Sequence, residues 1–199
     1  MKVGFIVECG PAGADTKVIP YLAKKLVPTL TVVDPVPLDS KKRLRRECGP
    51  WVKSLLGQGC DRVLIVWDLM PDWGEYEGVG CRHADKEEIE VSLSGAGLTL
   101  ADPRIKVVCI EKVFESWILA DNQAVAEFIS PKTHPIDVPK YNRPDNVKDP
   151  EAVLNRLFGM SPFRKYRDLD HAFGIIKKAQ INRLRRSASF SHFEEKLTE

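Results

Sequence analysis

The sequence predicts an α/β fold: a Rossmann-like parallel sheet of about four strands flanked by helices, with a C-terminal helical extension. Two observations carry this. Short apolar runs at 2–8, 30–33, 62–67 and 104–110 alternate with segments whose apolar residues recur every three or four positions. The runs are apolar on both faces, as strands buried between two helical layers are. Strands that alternate with helices in this way lie parallel in one sheet, and ligands of such sheets sit at the carboxyl ends of the strands.

The first run stays apolar through Val7 and ends on Glu8. Gly10, Pro11 and Gly13 then force a loop, and Asp15 or Thr16 is placed to cap a helix carrying Val18, Ile19, Leu22 and Leu26. Leu30–Val33 is the second strand, ended by Asp34, Pro35 and Pro37. Ser40 caps a helix over 40–58 with Leu44, Cys48, Val52, Leu55 and Leu56 on one face, and Gly57 and Gly59 stop it. Arg62 to Trp67 is the strongest strand signal and closes on Asp68. Residues 69–83, rich in Gly, Pro and acids, read as loop, and 84–95 as a helix through Ile89 and Leu93. Arg104–Ile110 is the fourth strand, followed by one helix over 112–128 with Phe114, Trp117, Ile118, Leu119, Val125 and Phe128.

Pro131, Pro135, Pro139 and Pro144 make 130–149 an extended loop. Asp149 and Pro150 then open a helix as a cap and a first-turn proline, with helices expected near 150–158, 166–185 and 190–197. The organisation expected is an α/β core over 1–130, a Pro-rich loop over 131–149 and a helical extension over 150–199.

The 199 residues are 43% hydrophobic and 29% charged, which excludes a chain disordered over most of its length. The net charge of +2 says nothing about partners. No apolar run approaches the ~18 residues of a membrane span, and the start runs straight into Glu8, unlike a signal peptide. A cytoplasmic protein is expected. Five scattered cysteines without a Cys-x-x-Cys pair point to reduced thiols. Cys81 and His83 lack the second ligand pair that structural zinc needs. No Gly-x-Ser-x-Gly elbow accompanies the histidines, which argues against a serine hydrolase.

Positive charge is clustered. Residues 164–186 hold eight basic side chains against two acids, including Lys177, Lys178, Arg183, Arg185 and Arg186, and 41–46 hold five in six positions. Such runs are either solvated helix faces or a patch for a phosphate backbone, where clustered Lys and Arg gain affinity by releasing counterions.

Acids fall where strands end: Glu8 after the first, Asp68 after the third, Glu115 five residues past the fourth. A parallel sheet opens all its carboxyl ends on one edge, so the three converge there although distant in sequence. Carboxylates gathered so repel one another, which a divalent cation or raised pKa values relieve. Magnesium, or manganese, suits such an oxygen-only set and leads to phosphoryl chemistry. Each acid is equally the ordinary first polar residue of a loop. Gly10 and Gly13 offer a further reading, a nucleotide phosphate held at the start of the next helix. Trp117 and Asp121, four apart, share a helix face; Trp117 reads as core, and Asp121 as a residue for loop amides or a metal.

Val7-Glu8-x-Gly10 before a helix, with a later strand ending in Asp68, resembles the TOPRIM domain of topoisomerases, primases and overcoming-lysogenization-defect nucleases. Glu115-Ser116-Trp117-Ile118-Leu119-Ala120-Asp121 is similar to the Glu-x-Trp-Leu-Leu-Ala-Asp signature of a small TOPRIM-like family of uncharacterised proteins, domain of unknown function family 4276. Asp149-Pro150 and the Ser187 to Phe193 segment match as well. The resemblance implies Glu8 as general acid/base, Asp68 as the first aspartate of a magnesium-holding Asp-x-Asp, nucleic acid as substrate, and work beside an ABC-type ATPase encoded nearby in phage defence or DNA processing. The second aspartate is replaced by Met70, a thioether that magnesium does not accept; Asp72, Glu75 or Glu115 stands nearest to replace it.

Two functions follow. One is a magnesium-dependent nuclease or phosphodiesterase with Glu8 and Asp68 catalytic, Glu8, Asp68, Asp72 and Glu115 as metal ligands, and the basic tail holding nucleic acid. The other is a catalytically inert binding subunit of an ATPase or nucleic-acid complex. Homo-oligomer formation stays open.

Overall fold

The computed structural model describes residues 1–70 and 81–199. Asp72 and Glu75 lie outside the described residues. The sheet is built from β1 (Lys2–Val7), β2 (Thr31–Val32), β3 (Val36–Pro37), β4 (Arg62–Asp68) and β5 (Ile105–Ile110). It is parallel throughout, in the order β2-β1-β4-β5, with β3 also paired to β1.

Where one strand was expected over 30–33, two short pieces lie along the same side of β1. Thr31 and Val32 pair with Lys2 and Val3, and Val36 and Pro37 with Ile6 and Val7. The edge strand thus resumes past Asp34 and Pro35. An edge position tolerates Pro37, since a proline has no amide to give to a further strand. Among the described residues the sheet has the expected parallel strands, five when the two short edge pieces are counted separately.

Alternation along β4 assigns its two faces. Leu64 and Val66 join Val3, Phe5 and Val7 in one core, and Val63, Ile65 and Trp67 join Ile6 and Cys109 in the other. Two helices cover the second face: α2 (Lys41–Gly57), capped by Ser40 as its sequence predicts, and α3 (Arg82–Gly95). The first face is covered by α1 (Asp15–Leu26), α4 (Glu115–Ala120), α5 (Asn122–Ile129) and the C-terminal helices α6 (Pro150–Gly159), α7 (Asp168–Lys178), α8 (Ile181–Leu184) and α9 (Ala188–Thr198).

Two helices expected to be continuous are broken. The expected 112–128 helix divides at Asp121, whose side chain accepts the Gln123 and Ala124 amides at 3.1 Å and so starts α5. The expected 166–185 helix divides between α7 and α8 at Ala179 and Gln180, and the Gln180 amide is taken by Asp121 at 2.9 Å. A side-chain acceptor replaces the next helical turn in both places, local at the first break and 59 residues away at the second. At α1 neither expected cap acts as one: Ala14 holds the cap position and the Thr16 hydroxyl donates back to the Gly13 carbonyl at 2.7 Å.

The C-terminal helices share the core of the first face. Phe190 and Phe193 are fully buried and meet Trp117 with ring centroids 5.3 and 5.5 Å away. Trp117 is completely buried, and its Nε1 donates to Ser189 Oγ at 2.8 Å. Among the described residues no helix is long and apolar enough to cross a membrane.

Candidate active site

The parallel register brings the strand ends together. Val7 stands opposite Val66, and Asp68 opposite Ile110, so Glu8, Asp68 and the segment entering α4 open on one edge. A cavity of about 320 Å³ lies there, lined by the acids Glu8, Asp15, Asp39, Asp68, Glu115 and Asp168, by Cys9 and Ser40, and by the cations Lys41, Lys42 and Arg45. Three of the four acids singled out in the sequence therefore share one cavity; Asp72 lies outside the described residues.

Each acid is held by its own element. Glu8 follows β1 directly, and its Oε2 is buried without a hydrogen-bond partner among the described residues. Burial, then the charge of Asp15, raises its carboxyl from 4.5 to about 8, against the Asp68 backbone amide and the Lys41 ammonium. Asp68 ends β4 and accepts the Phe114 amide through Oδ2 at 3.1 Å. Burial and the nearby charges of Glu8, Asp15 and Glu115 hold its carboxyl well above the ordinary range. Glu115 opens α4 and accepts the Tyr166 hydroxyl at 3.3 Å; burial raises it to about 7.

The sequence reading missed Asp15, Asp168, Tyr166 and Asp85. Asp15 is the first residue of α1 and is raised to about 6 by burial, with a hydrogen bond from the Cys9 thiol working the other way. Gly13 permits this loop, since a Cβ there would sit 2.4 Å from Cys9 Cβ. Asp168 opens α7, and its charge acts on Asp15, Glu115 and Tyr166. A visible signal was the acid at each helix start; what made it matter, the fold of α7 back onto α1, was not local.

The basic run at 41–46 is not simply a solvated face. Lys41 and Arg45, one turn apart, are 8% and 5% exposed. Both reach Asp85 of α3, which is fully buried: Lys41 Nζ to Oδ2 at 3.0 Å, Arg45 Nη1 to Oδ1 at 2.6 Å. Trp67 Nε1 donates to the same carboxylate at 3.0 Å. The signal was present in the spacing of Lys41, Arg45, Cys48, Val52 and Leu55, a single inward face.

The tail cations lie elsewhere. α7 starts at the cavity, so Lys177 stands about 14 Å further along it at 1.5 Å per residue. There Tyr21 Oη donates to the Lys177 carbonyl at 3.4 Å and Lys25 Nζ to the Ala179 carbonyl at 2.5 Å. Lys178 pairs with Glu127 and Arg185 with Glu194, both at 2.6 Å and at the surface. Arg183 binds the buried Asp121 at 3.1 Å, and Arg186 donates to the Ala120 carbonyl at 3.1 Å. Asp121 thus serves loop amides and Arg183, in support of the fold.

All ligands that the cavity's acids and Cys9 offer are carboxylate oxygens apart from the Cys9 thiol, a donor set that suits a hard divalent cation. The orphaned Glu8 Oε2 fits the same need. Among the described residues, no group of three or more His, Cys, Asp or Glu side chains is gathered closely enough to hold a metal alone. Magnesium requires less than that: it is commonly held by one or two carboxylates, with waters and substrate phosphate completing its shell.

Fold and cavity define a parallel α/β protein with an acidic centre at the carboxyl edge of its sheet. The chain belongs to the family described as a domain of unknown function, DUF4276, which matches residues 41–198. No curated protein and no solved structure matches it significantly. The matched span begins at the first residue of α2, so β1, Glu8 and Asp15 precede it.

Proposed function

We propose that the cavity is the active centre of a TOPRIM-like, magnesium- or manganese-dependent phosphodiesterase that cleaves nucleic acid. The observation that carries this reading is the buried Oε2 of Glu8, unpartnered among the described residues, within a set of carboxyls that burial and mutual repulsion hold at about 8, 6 and 7. Such a set is relieved by protons or by a cation, and groups titrating near neutrality suit proton transfer.

In this reading Glu8 and Asp68 would hold the ion, with waters and substrate phosphate completing its shell and Glu115 adding negative charge beside them. When bound, the ion supplies Lewis-acid polarisation of a phosphoryl oxygen. Glu8, protonated near pH 7 in the metal-free site, would give up that proton on taking the ion, so metal binding is expected to release a proton. Tyr166 orients Glu115 through its hydroxyl. Asp15 at the head of α1 disfavours the alternative of a phosphate bound there without a cation. Lys177, Lys178 and Arg185 are the tail cations assigned to nucleic acid. The surface pairs of Lys178 and Arg185 are worth ~0–1 kcal/mol and yield readily to phosphate, whereas Arg183 and Arg186 are tied into the fold. A cytoplasmic setting and an ABC-type ATPase partner in defence or DNA processing belong to the same proposal.

Titration with manganese followed by cleavage assays on single- and double-stranded DNA tests it. The wild-type protein is expected to bind manganese at least tenfold more tightly than Asp68→Asn, and Glu8→Ala and Asp68→Asn are expected not to cleave. Cleavage by either variant at the wild-type rate overturns the assignment. Met70 in place of a second aspartate favours the other reading, an inert binding subunit; nucleic-acid binding with no manganese binding selects it.

A further inference from the structure

Lys41 stands at the junction of two groups. It lines the acidic cavity, and its ammonium is anchored from behind by Asp85 Oδ2 at 3.0 Å and the Leu69 carbonyl at 2.8 Å. A lysine normally loses much of its rotamer freedom when it grips an anion. Here two bonds from α3 and the end of β4 have already fixed Nζ, so little remains to be lost on binding. Asp85 is itself locked by Arg45 and Trp67. It lies on the α2–α3 side of the sheet, outside the cavity's lining, and its charge reaches Glu8 as well as the two cations it holds.

The placement matches what a cation-assisted site needs for a phosphodiester. The cavity holds acids, which would take the positive ion, and beside Glu8 a fixed ammonium, which would take the phosphate charge that the acids repel. Fixed charges aimed at the reacting group need no reorganisation during reaction.

We infer that Lys41 binds the phosphate of the substrate and that Asp85 is its positioning residue. The inference rests on the phosphodiesterase reading of the same cavity.

The test uses the full-length protein, inorganic pyrophosphate as probe and manganese alone as control, by calorimetry on wild type, Lys41→Met, Lys41→Arg and Asp85→Asn. Lys41→Met leaves Asp85 paired with Arg45 and Trp67, so it is expected to fold, as a thermal melt checks. Expected are manganese affinities within threefold of wild type in all four. Pyrophosphate affinity should be at least tenfold weaker in Lys41→Met, three- to tenfold weaker in Asp85→Asn, and restored to within threefold in Lys41→Arg. On a phosphodiester substrate, Lys41→Met should raise KM more than it lowers kcat. If Asp85→Asn does not fold, the Lys41 pair decides alone. Unchanged pyrophosphate affinity in Lys41→Met, or no pyrophosphate binding by wild type, overturns the inference while intact manganese binding leaves the metal reading standing. If wild type binds no manganese, the metal reading falls and the pyrophosphate comparison, run without metal, decides on Lys41 by the same criterion.

Discussion

Replacing Glu8 by glutamine isolates the cost of the acid cluster. Glutamine keeps the shape of a protonated glutamic acid and cannot ionise. The folded protein holds the Glu8 carboxyl at about 8, against 4.5 ordinarily. A carboxyl raised on folding contributes stability that is fully present below 4.5 and is lost as pH climbs through about 8. At ~1.36 kcal/mol per pH unit, the full interval corresponds to on the order of 5 kcal/mol. Relaxation and water entry around a half-buried side chain reduce this, to roughly 2–5 kcal/mol. Glu8 also raises Asp68, so part of the gain from the substitution comes from a neighbour that ionises more easily. Urea denaturation of both proteins from pH 5 to pH 9, with chelator present, gives the two stability profiles. Glu8→Gln should match wild type near pH 5 and exceed it by about that amount at pH 9, with equal slopes in urea. A gap that does not change between pH 5 and pH 9 refutes the reasoning, because it means that the Glu8 carboxyl is hydrated or paired in the folded protein.

Two further substitutions test the frame around the cavity. Asp121→Ala removes the acceptor of three backbone amides and of Arg183 from a fully buried position. It should cost ~3–5 kcal/mol in urea denaturation and speed hydrogen exchange in α8, whereas a loss below ~1 kcal/mol would contradict the role given to Asp121. Gly49→Ala places a Cβ 2.1 Å from the Ser92 carbonyl oxygen, a backbone atom that moves only with α3. The resulting separation of α2 from α3 should cost ~1–3 kcal/mol or more, and an unchanged melting temperature would show that the helices slide apart freely.

The sheet and the meeting of Glu8, Asp68 and Glu115 were legible because both rest on local rules. Apolar runs between amphipathic helices fix parallel strands, and parallel strands share one edge. The breaks at Asp121 and Ala179 were not legible, since α5 starts where a side chain caps it and α7 stops where Asp121, distant in sequence, takes the next amide. Pro35 read as the end of a strand, yet β1 continued to offer backbone partners beyond it. Lys41 and Arg45 read as part of a surface run, solvated or facing phosphate, because a window of six residues shows charge density, while the inward face shows only over the four turns of α2.

The specific signature of the sequence, Glu115 to Asp121, has two jobs. Glu115 faces the cavity, whereas Trp117 and Asp121 face away from it and hold Ser189, Gln180 and Arg183 of the C-terminal helices. Those helices in turn shape the acid centre. Tyr166, just before α7, and Asp168, its first residue, supply the hydroxyl and the negative charge that act on Glu115. One buried cluster runs from Phe5 of β1 through Trp117 to Phe193 of α9, so the extension cannot be peeled from the sheet without opening the core. The raised carboxyl of Glu115 therefore depends on the C-terminal quarter of the chain as much as on the strand edge that presents it. An acid at a strand end becomes a candidate proton carrier only when something distant in sequence closes over it, and in this chain Trp117 and Asp121 keep that cover in place.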